Sequence, residues 1–175
     1  MIKKLLNPLY LLVLTVVINS CKQKDGTSLH SDSGLMNQVG DIISNKDVDG
    51  DFKNCNIGRV PQYYSYNKKP FLYEKLHFED FIRASYKEPK NSQESGWLRI
   101  RFVINCKGNA GRFRLLGIDK KFDEVTFSEE IADQLLKLTK QYKNWRILEY
   151  KEMSSDYYFY VVFKINKGKI EEILP

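Results

Sequence analysis

Between positions 97 and 105 the side chains alternate without a break. Leu98, Ile100, Phe102 and Ile104 are interleaved with Arg99, Arg101 and Val103. Successive strand residues point to opposite sheet faces, so this period of two predicts a strand with one apolar face that must be covered. Cys106-Lys107-Gly108-Asn109-Ala110-Gly111 has turn composition, and alternation resumes over 112–118, which predicts a hairpin. A second strong run, Tyr157, Phe159, Val161, Phe163 and Ile165, predicts a further strand, and residues 145–150 a shorter one.

Helical spacing appears in two places. Ile131, Leu135, Leu138 and Tyr142 make a stripe widened by Ala132 and Leu136, and Thr126 with Glu129 fits a capping box. Phe78, Phe81 and Ile82 suggest a shorter helix over 78–87, ended by Pro89 and the polar stretch 91–96. Asn166-Lys167-Gly168 turns the chain into a short end at 169–175. Strands and helices therefore mix as α+β, an antiparallel sheet with helices on one face.

The N-terminus reads as a processing signal. Met1-Ile2-Lys3-Lys4 is basic and residues 5–18 are mostly apolar. That run is shorter than the roughly 20 residues of a spanning helix and suits a signal peptide. Ile18-Asn19-Ser20-Cys21 resembles a lipobox, which implies a signal peptide at 1–20 and lipid, palmitate included, on Cys21. The protein is then expected on a bacterial envelope membrane, the outer one, with its periplasmic or surface side undecided. The alternative is an ordinary cleaved signal. Residues 21–51 are rich in Ser, Asp, Asn, Gly and Lys and read as a lipidated start and flexible tether, leaving 52–175 as the domain. Within the tether, residues 45–50 echo the first half of a calcium loop, but Asn56 stands where the bidentate Glu is needed, so a polar turn is expected.

Two cysteines remain. In an oxidising envelope, Cys55 and Cys106 are expected to pair, the alternative being two separate buried thiols. The only histidines are His30 and His77, too few for a His/Cys zinc site. No nucleophile elbow, phosphate-binding loop or zincin motif occurs, so we expect no metal, no cofactor and no enzymatic activity. The net charge of +6 is too mild to argue for nucleic acid. If the apolar strand faces meet the helices, Arg99, Arg101, Arg112 and Arg114 share the other sheet face with Tyr158, Tyr160 and Lys164. That face either receives a ligand or is solvated, its arginines paired with Glu149 and other acids.

Gly96-Trp97-Leu98-Arg99-Ile100-Arg101-Phe102-Val103-Ile104-Asn105-Cys106-Lys107-Gly108 resembles the first hairpin of TonB C-terminal domains, where a Gly precedes a V-x-V-x-F-x-V-x-x-x-G strand. The likeness continues through the helix at 128–143, Trp145 and Phe163-Lys164-Ile165, covering roughly residues 78–175. It implies two helices packed on one face of a three- or four-stranded antiparallel sheet, and binding of a protein or peptide partner by strand addition. Energy transduction is not carried over, because a lipobox and a short tether replace the uncleaved anchor and Pro-rich span. The expected function is therefore that of a non-catalytic envelope lipoprotein with a TonB-like domain. The alternative is a binder of anionic glycan or lipid headgroup through the Arg/Tyr face.

Overall fold

The computed structural model describes residues 40–175 other than 56, 57, 67, 69 and 151. The expected signal segment, Cys21 as the expected lipid site, and the expected tether up to residue 39 lie outside the described residues. In chain order the elements are α1 (Lys46–Asp49), a 3-10 turn (Tyr63–Ser65), α2 (Lys75–Ser85), β1 (Gly96–Ile104), β2 (Ala110–Ile118) and β3 (Glu124–Val125). There follow α3 (Glu129–Gln141), β4 (Leu148–Tyr150), β5 (Met153–Ser155), β6 (Tyr157–Asn166) and β7 (Lys169–Leu174).

The fold is α+β. Its main sheet runs β3-β2-β1-β6-β7 with every pairing antiparallel, while β4 and β5 form a separate ribbon. Five strands replace the expected three or four. Two of the five were not expected, the two-residue β3 and the tail, which forms β7, while the strand expected at 145–150 supplies β4 and stays outside this sheet. Ile170 and Ile173 of the tail are three apart and break the period of two. A bulge opposite Lys164 and Ile165 lets them pair with Ile165 and Phe163, so both still face the core.

Helices cover one face. Leu98, Ile100, Phe102 and Ile104 of β1 and Phe159, Val161, Phe163 and Ile165 of β6 pack against Phe78 and Ile82 of α2 and Ile131, Leu135 and Leu138 of α3. Trp145 knits this layer, its ring within 6 Å of Phe71, Phe78, Phe102, Tyr142 and Phe159. Such aromatic pairs add about 0.5–1.5 kcal/mol each beyond the area they bury. The capping box at Thr126 does not form. Helix α3 starts after Ser128, whose N–H and hydroxyl both donate to the Glu94 carboxylate, at 2.7 and 2.6 Å. A carboxylate brought in from the loop before β1 thus serves the helix start.

The opposite face is covered too, over part of its area, by residues 40–66. Ile42 and Val60, with Phe52 beside them, form a second cluster with Val103 and Tyr158. The Ile42 N–H donates to the Tyr158 hydroxyl at 2.9 Å, and the Tyr158 N–H donates to the Pro61 carbonyl at 2.8 Å. Residues 40–51, expected as tether, therefore belong to the folded unit, which starts no later than Gly40. Ser- and Asp-rich composition masked one residue, Ile42, whose burial ties the segment down.

Cys55 and Cys106 are joined in a disulfide, with Cα atoms 5.9 Å apart. The carboxylate of Asp156, a buried residue, accepts the N–H of Cys55 at 2.8 Å and that of Cys106 at 2.9 Å. These three residues form a tight Cys/Asp cluster, but both sulfurs are covalently committed, so the arrangement is a staple between the covering segment and the β1–β2 turn. Closing a loop of 51 residues restricts the unfolded chain by about 4 kcal/mol at most. The Cys55→Ser/Cys106→Ser double variant is expected to lose about 3–4 kcal/mol in urea unfolding. Its first new protease cuts should fall between residues 40 and 66.

Candidate binding surfaces

The strand register puts Arg99, Arg101, Arg114, Tyr158 and Tyr160 on one face, while Arg112 falls in a bulge outside the register, and the five are not equally available. Arg101 and Tyr158 are each 1% exposed. The Arg101 guanidinium lies 4.3 Å over the Tyr158 ring and donates to the Gly40 carbonyl, and burial lowers its pKa from the ordinary arginine value. Arg114 is engaged as well. Its Nη1 meets Asp49 Oδ1 at 2.6 Å, its Nη2 meets Asp49 Oδ2 at 3.0 Å, and Nη2 also reaches the Ile43 carbonyl at 2.8 Å. Arg101, Arg114 and Tyr158 thus hold the covering segment and do not face a ligand. The pairing acid is Asp49, not Glu149, which sits in the β4–β5 ribbon.

Asp49 belongs to the stretch that echoed a calcium loop. There the Asn45 side chain accepts the Asp47 N–H at 3.0 Å, Asp49 accepts the Asn45 N–H at 2.8 Å, and the chain closes into the single turn of α1. Arg112 sits at a β-bulge with φ 55° and is half-buried, its Nε without a hydrogen-bond partner among the described residues. Arg99 lies towards the uncovered end, its guanidinium 4.6 Å from the ring centroid of Tyr160, which on its other flank meets Tyr63 of the covering segment edge-on at 6.0 Å. Sequence reasoning missed Phe122, 78% exposed and stacked on Trp97. Its only signal was an aromatic residue inside a turn-like Asp-Lys-Lys-Phe-Asp stretch.

The two outer edges of the sheet differ. On β7, the Arg83 guanidinium donates to the Ile170 and Glu171 carbonyls at 2.9 and 3.2 Å, and the Tyr86 hydroxyl donates to the Gly168 carbonyl at 2.8 Å. The bulge and the exposed Lys169, Glu171 and Glu172 further blunt that edge. On the N-terminal half of β6, Gln62 forms a parallel bridge to Tyr158. On β2, in contrast, β3 pairs only with Gly117 and Ile118, and no strand among the described residues pairs with the rest of that edge. Half-buried Phe113 and Leu115 lie along it, with Lys140 of α3 5.5 Å from the Phe113 ring. Lys137 and Lys143 extend a basic rim, and both are exposed.

A cavity of about 1080 Å³ lies beside α2, lined by Leu72, Tyr73, Leu76, His77 and Arg146 among others. His77 Nδ1 is 3.3 Å from the Tyr142 hydroxyl, and Arg146 donates to the Phe71 and Leu72 carbonyls. No helix among the described residues is long and apolar enough to cross a membrane.

The Arg114–Asp49 pair gives the covering segment a pH dependence. Burial raises the Asp49 pKa, while the Arg114 and Asn45 hydrogen bonds and the charges of Arg114 and Arg112 lower it, for a net value below 3.8. A depressed carboxyl pKa contributes stability that is present above the unfolded value and is lost as pH falls through the folded one. Asp49→Asn should cost about 2 kcal/mol at pH 7 by urea unfolding, within the range for hydrogen bonds to charged groups. The gap from wild type should shrink below about pH 3.8. A gap of equal size at both pH values would show that the charge on Asp49 is not what matters.

No family model, curated protein or solved structure matches this chain.

Proposed function

We propose that this chain is a non-catalytic bacterial envelope lipoprotein, held on the membrane by lipid at Cys21, whose TonB C-terminal-like domain binds an extended protein or peptide segment along the edge of β2. The observation that carries the reading is the contrast between edges. β7 is bulged and capped by Arg83 and Tyr86, whereas the outer side of β2 has no strand partner among the described residues before Gly117, although Arg114 takes the Phe113 carbonyl there at 2.9 Å. An unpaired edge offers a row of backbone donors and acceptors to an incoming strand, and side-chain contacts then set which strand is accepted.

The flanks of β2 indicate the chemistry of that strand. Lys137, Lys140 and Lys143 lie on the α3 side and Arg112 on the strand itself, so an acidic segment is favoured electrostatically. Phe113 and Leu115 supply apolar contact on the helix side. A non-catalytic role is supported by the chemistry of the described residues, in which the cysteines are oxidised and His77 packs at a tilt between Tyr73 and Tyr142.

The Asp119 N–H bonds outward to the Asp123 carbonyl, so residues two apart from it, including Leu115, direct their backbone groups away from β1. Proline is tolerated on such an edge but blocks an added strand. A photocrosslinker at Arg112 in cells should trap a discrete envelope protein, and one at Lys169 should not. Leu115→Pro, with its disulfide intact, and Lys137→Glu/Lys140→Glu should each reduce capture at least tenfold. Equal capture from both edges, or undiminished capture by both variants, would remove the edge reading. Cys21→Ala should abolish labelled-palmitate incorporation, and unchanged labelling would remove the anchor.

A further inference from the structure

The end of the second sheet face that residues 40–66 leave uncovered is built of aromatic rings around one guanidinium. Trp97 opens β1 there, half-buried, and the ring of Phe122 lies over it with centroids 5.7 Å apart and planes 8° from parallel. Phe122 sits in the turn from β2 to β3 with φ 69°, a left-handed conformation that a bulky side chain rarely adopts. The turn is held firmly. The Asp119 carboxylate accepts the N–H groups of Lys121 at 2.7 Å and Asp123 at 3.0 Å, and the Phe122 N–H donates to the Asp119 carbonyl at 3.1 Å. The effect is to keep an aromatic ring in water when a relaxed turn would let it fold away. Backbone strain that displays a side chain without burying it points to a use for that side chain.

Arg99 is two residues further along the same face of β1, about 7 Å from Trp97 at strand spacing. Its guanidinium stacks on Tyr160 and makes no ion pair among the described residues, and its Nε is buried with no hydrogen-bond partner there. Burial lowers its pKa from the ordinary arginine value, but the group stays charged. Of its neighbouring cations, Arg101 is sealed under the covering segment and Lys164 is paired with Glu171 at 3.2 Å. With Nε buried, the terminal Nη1 and Nη2 groups, which make no hydrogen bond among the described residues, suit a planar carboxylate that accepts two parallel N–H bonds.

We propose that Phe122, Trp97, Arg99 and Tyr160 form a binding site for a carboxylated saccharide. The sugar ring rests on the exposed face of Phe122, its C–H groups against the negative face of the aromatic ring, and its carboxylate takes the Arg99 fork. The rim selects this occupant over an anionic bilayer. Exposed Lys120 and Lys121 balance exposed Asp123 and Glu124 beside Phe122, and Lys164 and Glu171 pair with each other, so the rim offers an extended anionic surface no net attraction, whereas a single carboxylate at the centre meets Arg99. The site does not use the β2 edge and stands apart from the peptide-binding reading.

The test is tryptophan fluorescence of the intact chain titrated with tri-galacturonate, with its methyl ester, with neutral maltotriose and with vesicles rich in anionic lipid. Trp145 is 3% exposed, so a ligand at this face changes the Trp97 signal. The expected result is a saturable change with tri-galacturonate that is at least tenfold weaker with the ester or maltotriose. Arg99→Gln and Phe122→Ala should each weaken it at least tenfold. Phe122 is exposed, so its variant should keep or raise the thermal midpoint, which separates lost binding from lost folding. No saturable change, equal affinity in either variant, equal affinity for the ester, or binding to vesicles alone would overturn the proposal.

Discussion

The pairing of β1 with β6 in the middle of the sheet sets the terms for the rest of the structure. Two long antiparallel strands present two faces, and both must be shielded where they are apolar. Helices α2 and α3 shield one with aliphatic and aromatic side chains. The other carries arginines and tyrosines, and it is shielded by a polar segment that satisfies them one by one: Gly40 for Arg101, Ile42 for Tyr158, Asp49 and Ile43 for Arg114. Burying a guanidinium is unfavourable unless its donors and charge are met, so the path of residues 40–66 is dictated by the face it lies on.

Much of the helix-side architecture was legible because periodicity reports it directly. The runs at 97–105 and 157–165 became β1 and β6, and the stripe of Ile131, Leu135 and Leu138 became the buried side of α3. The tail was harder to read, because the bulge opposite Lys164 and Ile165 converts a spacing of three into a common face. The covering segment was illegible for a different reason. Its attachment depends on backbone carbonyls and on single residues such as Ile42 and Asp49, and neither makes a repeating pattern.

The candidate surfaces divide in the same way. Alternation correctly gathered Arg99, Arg101, Arg114, Tyr158 and Tyr160 onto one face, since a strand's period decides that without reference to anything else. Which of them remain accessible is a tertiary fact. Arg101 and Arg99 are two residues apart with the same stacking on a diagonal tyrosine, yet one is sealed and the other half-open, because the covering segment ends between them. The status of Phe122 was equally hidden, because its prominence comes from a backbone dihedral and not from its neighbours in sequence.

Capping one edge of the sheet while leaving the other bare also governs how copies of the chain can associate. A sheet with two bare edges can stack edge to edge without limit, each added copy offering a fresh template. Here Arg83 takes the Ile170 and Glu171 carbonyls of β7 and Tyr86 the Gly168 carbonyl just before it, so a strand contact between two copies is favoured at β2 against β2. That contact is the same patch on both partners, related by a two-fold axis, and it leaves nothing further to join. Two hydrogen bonds from Arg83 of α2 and one from Tyr86 just past its end thereby make one edge of the sheet a poor template for a like strand.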